Sequence, residues 1–451
     1  MRISHATTMY RRLHKTRLAA CLAVALGAAA GSLVAPAPTV AAPLASGSTF
    51  LVTNCNDSGG GSLRNAVSMA VSGDTVDLSG LSCSTITLTT GAIISVVKDI
   101  SIVNNATATG TNIDANFKGQ AILHTGTGSL TLKGLTVEHG YKYLAGAPVK
   151  GACIYSAGSV SLTQVTVDSC TARSGTGAVF GGAVYARGSL STDHAHIVRS
   201  AAYSSSGPMR GGGAFAGGTL LVKYSDFSNN RTGKANTNSA GGGIYAAAGA
   251  IVNRCTFANN YAHGGGGLNI TSNGGFSSTI TSSTISGNFA TSVGGVFSNE
   301  PLTLRNSTIA FNTASDNTLG AGLHATAPAS IVSTIIARNV GSIAADDLGT
   351  SFGATISGDH NLIMASKVAV PADTLKAEPG LLPLALNGGP TLTHSLLNGS
   401  VAINAGSDPN HEYYDQRGFF FPRVLGSSAD IGAYERDPNA FIFADGFEIL
   451  L

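Results

Sequence analysis

Apolar residues recur along this chain at a short and a long interval. In the short pattern they alternate with polar ones: Leu130, Leu132, Leu135 and Val137 are separated by Thr131, Lys133, Gly134 and Thr136. Alternation at period two is the mark of a half-buried strand. The two-residue step between Leu132 and Leu135 predicts a bend between two short strands. The same set returns as Val160, Leu162, Val165 and Val167, as Leu220, Val222, Ser225 and Phe227, and as Leu302, Leu304, Ser307 and Ile309.

In the long pattern a cluster of small residues precedes an apolar one. That column reads Ile154, Val184, Ala214, Ile244, Leu268, Val296, Leu323, in steps of 30, 30, 30, 24, 28 and 27 residues. A further mark places Asn three residues after an apolar residue: Phe227 to Asn230, Phe257 to Asn260, Ile285 to Asn288, Ile309 to Asn312 and Ile336 to Asn339. Repeats of this length are units that cannot bury an apolar face alone and must stack. Gly at these densities opposes helix. It suits a corner needing positive φ. Asn suits a turn, because it tolerates left-handed backbone and hydrogen-bonds its neighbours. The expected fold is all-β: a single-stranded parallel β-helix, right-handed by the crossover rule, with N- and C-terminal caps. About ten rungs at roughly 4.8 Å each give a rod on the order of 50 Å long.

The pairing of Gly-Gly-Ala-plus-aliphatic with Phe-x-x-Asn resembles the repeats of polymorphic outer membrane proteins. More broadly the array is similar to the pectin-lyase-like right-handed β-helix superfamily. Residues Asn56 to Val67, with Asp57-Ser58-Gly59-Gly60-Gly61-Ser62-Leu63-Arg64, resemble the segment that opens many secreted bacterial β-helix proteins. The resemblance implies a short helix around Leu63 to Ala70 that closes the solenoid; Asp57 and Arg64 could be read as catalytic, but the favoured reading is a turn residue and a cap residue. Near the other end, Leu386-Asn387-Gly388-Gly389-Pro390, Asp415-Gln416-Arg417-Gly418 and Ala429-Asp430-Ile431-Gly432-Ala433-Tyr434-Glu435 resemble the choice-of-anchor Q domain of secreted bacterial β-helix proteins. That likeness implies export and surface display, and no reaction.

The organisation that follows has five parts. Residues 1–42 read as a signal peptide: Arg11, Arg12, Lys15 and Arg17 precede the apolar stretch Leu18 to Val34, and small residues reach Ala41 and Ala42. Residues 46–118 are the N-terminal cap and first rungs, 119–365 the repeats, and 366–436 the anchor-like module. Residues 437–451 form a tail whose Asp445-Gly446-Phe447-Glu448 resembles the ending of some exported proteobacterial proteins. Its expected roles are a sorting signal or a last strand closing the solenoid. No other apolar run approaches the roughly 20 residues that span a bilayer, so the mature chain is expected to lack a transmembrane segment. Its localisation is expected to be secreted or cell-surface, with outer-membrane association open.

The chain has 451 residues, 58 of them Gly and only 11% charged, with a net charge of +2. That balance argues against a nucleic-acid partner and leaves a neutral surface rich in hydroxyls. A monomer is expected, with surface glycans or a host or neighbouring cell surface as partner. Cys55 and Cys83 flank the cap, and Cys153 and Cys170 fall in one repeat; both pairs are candidate disulfides in an oxidising compartment. Cys255 falls in an inward column and reads as a buried thiol.

A β-helix lyase or hydrolase needs carboxylates together on one lateral face. Between Gly151 and Asn339 the acids are only Asp168, Asp193, Asp226, Glu300 and Asp316. The candidate catalytic cluster is Asp346 and Asp347, with Asp359 and His360 one rung later and Arg338 beside them. His194 and His196 are read as sharing one strand face, where they could touch a metal. Tyr155, Tyr185, Phe215 and Tyr245, followed by Asn269, Phe297 and His324, form an outward column. Two readings are open for it: a platform for sugar rings, or a ladder of rings that stabilises the solenoid. The expected function is therefore non-enzymatic adhesion, interaction or an envelope role, with no cofactor. The alternative is a polysaccharide lyase or glycoside hydrolase, and only there would Ca²⁺ enter.

Overall fold

The structure is a computed structural model. It describes residues 47–438, except 106–109, 234–237, 273, 317–318, 343 and 345, and the backbone of 441–442 and 448–449. The signal-peptide reading of residues 1–42, and Asp445-Gly446-Phe447 of the tail motif, lie outside the described residues. The flanking tail residues Phe441–Ile442 and Glu448–Ile449 pair antiparallel with each other.

The alternating segments form an all-β parallel solenoid of the right-handed type, with about ten turns and the one helix Leu63–Met69 among the described residues. Each complete rung begins with a short strand in the column Ile154–Ser156, continues to one such as Ser159–Thr163, bends, and enters a third such as Thr166–Asp168. A turn then leads to strands such as Thr171–Ser174 and Val179–Phe180, and Gly181 returns the chain to Val184–Ala186. The first two columns make one 20-stranded sheet; the others make two sheets of 11 strands each. The registers follow the aligned sequence, Ile154 to Val184 to Ala214 to Ile244 to Leu268 to Val296 to Leu323. Their side chains are wholly buried along the axis.

Both bends are single left-handed residues. Between the second and third columns these include Gln164, His194, Tyr224 and Arg254. In the next turn they include His139, Ser169, Arg199, Asn229, Asn259, Gly287, Phe311 and Arg338. The Asn of the sequence mark is thus not the left-handed residue; it follows it and points inward. Asn260 donates from its backbone N–H and its Nδ2 to Asn288 Oδ1, both at 2.9 Å. Asn288 repeats this toward Asn312 (3.0 and 2.9 Å), and Asn312 toward Asn339 (3.0 and 2.8 Å). Each Nδ2 also donates to a carbonyl on the preceding rung, as Asn260 does to Phe227 at 2.7 Å. The ladder satisfies backbone groups that a buried turn would otherwise leave unpaired.

Gly151, Gly181, Gly211, Gly241 and Gly265 all have positive φ and build the other corner. A Cβ on Gly181 would lie 2.0 Å from the Val184 carbonyl oxygen. At the N-terminal end the helix Leu63–Met69 is capped by Ser62, whose hydroxyl accepts from the Asn65 N–H. Arg64 donates to the Gly91 carbonyl at 2.8 Å and pairs with Asp57. Burial pushes the Asp57 carboxyl up, but hydrogen bonds from Arg64, Thr90 and Thr89 outweigh it and hold the group well below the usual range.

Beyond the last rung, residues 366–436 run back along the second sheet. Thr256–Ala258, Thr284–Ser286, Thr308–Ala310 and Ile335–Ala337 are buried on both faces, whereas Thr166–Asp168 is buried on the inner face alone. The cover is Leu396, Ala402 and Ile431, packed on Ile335, Ala337 and Leu362. Gln416 sits at the polar centre: it accepts from Thr284 Oγ1 at 2.6 Å and donates to Thr256 Oγ1 at 3.1 Å and Thr391 Oγ1 at 3.0 Å. Among the described residues, no helix is long and apolar enough to cross a membrane.

Candidate functional site

The candidate carboxylates have separate partners. Asp347 is fully buried and ends the asparagine ladder. It accepts from Asn339 twice and, through Oδ2, from the Ala365 N–H at 2.8 Å. Burial raises its carboxyl to about 6, against those hydrogen bonds. Asp346 is buried and paired with Lys367 at 2.8 Å. Asp359 bonds to His360 at 2.8 Å and receives the Ser407 hydroxyl at 3.2 Å. Arg338 is paired with Glu378 at 2.7 Å. Among the described residues, no hydrogen bond or ion pair joins Asp346 or Asp347 to Asp359 or His360, or Arg338 to any of them.

His194 and His196 do not share a strand face. His194 is the left-handed bend residue, with φ of 52°, and His196 opens the strand after it. His194 bonds to Asp193 at 2.7 Å and stacks on Tyr224, while His196 lies 3.8 Å from Asp226. The bend between the two columns separates them.

A different acidic column was hidden by the irregular early repeats. Asp114, Glu138 and Asp168 are register partners on successive rungs of the second sheet. Asp168 is paired with Arg199. Asp114, Glu138 and His139 could hold a metal ion, since their ligand atoms lie within 4.8 Å of one another. Two carboxylates and an imidazole suit a transition metal better than Ca²⁺, which takes six to eight oxygens. In this structure His139 Nδ1 bonds to Asp114 at 3.0 Å and Asn112 Nδ2 to Glu138 at 3.3 Å. The step of 24 residues from Asp114 to Glu138 is the signal that could have found the pair.

The aromatic column forms a ladder. Tyr155, Tyr185, Phe215 and Tyr245 stack with centroids 5.4, 5.3 and 5.7 Å apart and planes within 9° of parallel. Their faces are turned to one another, and Tyr185 is buried, so the edges of the half-buried Tyr155, Phe215 and Tyr245 are what remain at the surface. That geometry removes the simple platform for sugar rings. Across the glycine corner stands a second column, Lys150, Phe180 and Arg210, in register on successive rungs. The Lys150 ammonium lies 5.0 Å from the Tyr185 ring and the Arg210 guanidinium 5.1 Å from the Tyr245 ring. Phe180 packs edge-on against Phe215 at 5.2 Å. A third column holds Tyr143, Arg173 and Tyr203, with Arg231 over the Tyr203 ring at 5.5 Å. Beside the ladder, Lys150, Phe180 and Arg210 thus set a cation, a ring and a cation on three successive rungs. Burial raises the Tyr185 hydroxyl, and the nearby Arg187 lowers it.

No protein-family model matches the chain, and no curated protein matches it. Among solved structures, pectate lyase Pel9A is similar over 86% of this chain and 97% of that chain, at 13% identity and a TM-score of 0.36.

Proposed function

We propose that the protein is an exported, non-catalytic β-helix rod that holds an extended surface or extracellular glycan along the corner where Tyr155, Phe215 and Tyr245 are half-buried. One observation carries this reading: rings and cations repeat in register over that corner. A straight, periodic and partly apolar face suits a linear, periodic polymer. The disulfides Cys55–Cys83 and Cys153–Cys170 support an oxidising compartment. The resemblance of residues 386–435 to the choice-of-anchor Q domain supports surface display. In this reading the module covers the second sheet and leaves the aromatic corner to the partner.

The test is a binding screen of the purified protein on immobilised neutral and acidic polysaccharides. Turnover of the same polymers is followed with and without Ca²⁺. Retention on one or more glycans, reduced by Phe215→Ala, with no new reducing ends or unsaturated products, is the expected result. Release of unsaturated products would replace this reading with the lyase alternative. Retention on none would remove it.

A further inference from the structure

A lone exposed ring such as Phe352 is ordinary on a protein surface. The loop of residues 413–425 in the C-terminal module is different. Tyr413 is 83% exposed, Phe419 65% and Phe420 80%, and their rings adjoin. Between centroids, Tyr413 lies 6.3 Å from Tyr414, Tyr414 5.7 Å from Phe419, and Phe419 4.2 Å from Phe420. Phe420 also has φ of 79°, where a bulky residue is an outlier and glycine the ordinary occupant. The fold accepts both backbone strain and water contact to present this ring.

The base of the loop is held from several sides. Tyr414 bridges to Pro422, and the Asp415 N–H donates to the Phe421 carbonyl at 3.0 Å. Arg417 lies over the rings of Phe421 and Tyr434 and pairs with Asp415 at 2.7 Å. The end of the module is tied to the same base. The Glu435 N–H donates to Asp415 Oδ2 at 2.9 Å, and the Glu435 carbonyl accepts from Arg417 at 2.6 Å. Glu435 Oε1 accepts from the Leu425 N–H at 3.0 Å. The chain after Glu435 therefore leaves the module at the foot of the aromatic loop.

What leaves there is apolar. Of residues 441–451, seven are Phe, Ile or Leu and two are acidic. Phe441–Ile442 pairs antiparallel with Glu448–Ile449, and Phe441 stands opposite Ile449. A two-stranded hairpin is marginal in water and needs a face to pack on. Phe441 follows Glu435 by six residues, a reach of about 20 Å. Phe419 follows Arg417 by two, so it stands within about 7 Å of the same clasp.

From this we infer that the hairpin of residues 441–449 docks on the aromatic loop, with Phe441 and Ile449 against Phe419 and Phe420. The contact latches the tail to the module and covers its exposed rings. A sugar is a poorer occupant, because successive rings are tilted by 46°, 71° and 58° and offer no flat platform. A tilted, uneven apolar surface suits interdigitating side chains instead. The inference is independent of the glycan-binding reading above.

The experiment uses the purified full chain. Hydrogen exchange over residues 441–449 is compared with that of a free peptide of the same residues, in the native chain and in Phe419→Ser with Phe420→Gly. Both substituted side chains are exposed, so the melting temperature should hold. The expected result is native exchange slower than the peptide's by about tenfold or more, the scale of burying one Phe side chain. In the variant it should return to the peptide's rate. As a second measurement, Phe419→Cys with Ile449→Cys should close an intramolecular disulfide under mild oxidation, and Val96→Cys with Ile449→Cys should not. Native exchange at the peptide's rate would overturn the inference. So would a crosslink between positions 419 and 449 that joins two chains, which would make a second copy the occupant. Sedimentation with vesicles of phosphatidylethanolamine and phosphatidylglycerol, abolished by Phe419→Ser with Phe420→Gly while the hairpin stays unprotected, would overturn it in favour of a bilayer surface.

Discussion

Asn339 donates to one oxygen of Asp347 twice, from its backbone N–H at 2.9 Å and from its side-chain amide at 2.8 Å. The pair continues a ladder of side-chain amides, with a carboxylate in the final place. The other Asp347 oxygen accepts from the Ala365 N–H, so the residue ties the last asparagine turn to the segment beyond it. Its carboxyl titrates near 6 in the fold, against 3.8 as the ordinary value. Between those values the native state holds a proton that the unfolded chain has lost. The stability from this group is complete below about pH 4 and falls as pH rises toward 6, by about 3 kcal/mol at most. Asp347→Asn should therefore flatten that decline in urea unfolding at pH 4.5, 6 and 7.5. Glu435, raised by burial to about 7, contributes a decline of the same sign that remains. Asp347→Ala strands three N–H donors and should cost about 2–4 kcal/mol at neutral pH. A slope unchanged in the Asn variant would place the proton elsewhere.

The corner glycines are predicted to differ sharply from Gly59 at the cap. Gly211 has φ of 77°, and a Cβ there would lie 1.9 Å from the Ala214 carbonyl oxygen. Backbone cannot yield as a flexible side chain can, so Gly211→Ala should destabilise by about 3 kcal/mol or more. Gly59 also has positive φ, at 92°, but nothing lies within 4 Å of its Cβ position. There only conformational strain is felt, and Gly59→Ala should cost about 1–2 kcal/mol. Comparing the two variants by denaturant unfolding separates the packing contribution from the φ contribution.

The cysteines divide into linked and inert. Cys55–Cys83 closes 28 residues and Cys153–Cys170 closes 17, so opening either should cost about 3–4 kcal/mol on the loop-entropy account. Cys255 is fully buried, and burial pushes its thiol up to about 12. It takes part in a hydroxyl ladder: its N–H donates to Ser283 Oγ at 3.0 Å, and Ser283 N–H to Ser307 Oγ at 3.2 Å. A thiol reagent should leave Cys255 unmodified in the native protein and label it once the protein is unfolded. Fast native labelling at Cys255 would show that the rung opens.

The architecture could be read from the sequence because each rung meets only its neighbours. Spacing then converts directly into register, and the column from Ile154 to Leu323 is the one the strands pair in. The disulfide between Cys153 and Cys170 was legible for the same reason. What spacing does not reveal is orientation within a bend. His194 and His196 sit two residues apart, yet His194 is itself the left-handed bend residue and His196 opens the next strand. Aromatic spacing likewise gives a stripe but not whether ring faces or ring edges point outward. The burial of Asp346 and Asp347 depends on Lys367 and Ala365, residues beyond the last repeat that no periodicity predicts.

Gln416 tests whether the C-terminal module is part of the folded rod or an appendage to it. The side chain is fully buried between module and solenoid. It accepts from Thr284 and donates to Thr256 and Thr391, and also to the Leu392 carbonyl at 3.0 Å. Around it Arg254 donates to the Asp415 and Tyr414 carbonyls at 2.9 and 2.8 Å and pairs with Glu412 at 3.0 Å. Gln416→Leu keeps much of the volume but strands the Thr284 hydroxyl, while Thr256 Oγ1 and the Leu392 carbonyl keep their own bond at 2.7 Å. At about 1–3 kcal/mol for a buried unsatisfied group, the variant should weaken docking by that amount. The aromatic corner faces another sheet, so glycan binding should persist. Hydrogen exchange should accelerate over Thr256–Ala258 and Thr284–Ser286, the strands the module covers, and remain slow over Thr166–Asp168, which it does not. Acceleration along the whole solenoid would mean that rod and module unfold as one unit. The module would then be a lateral brace for the later rungs.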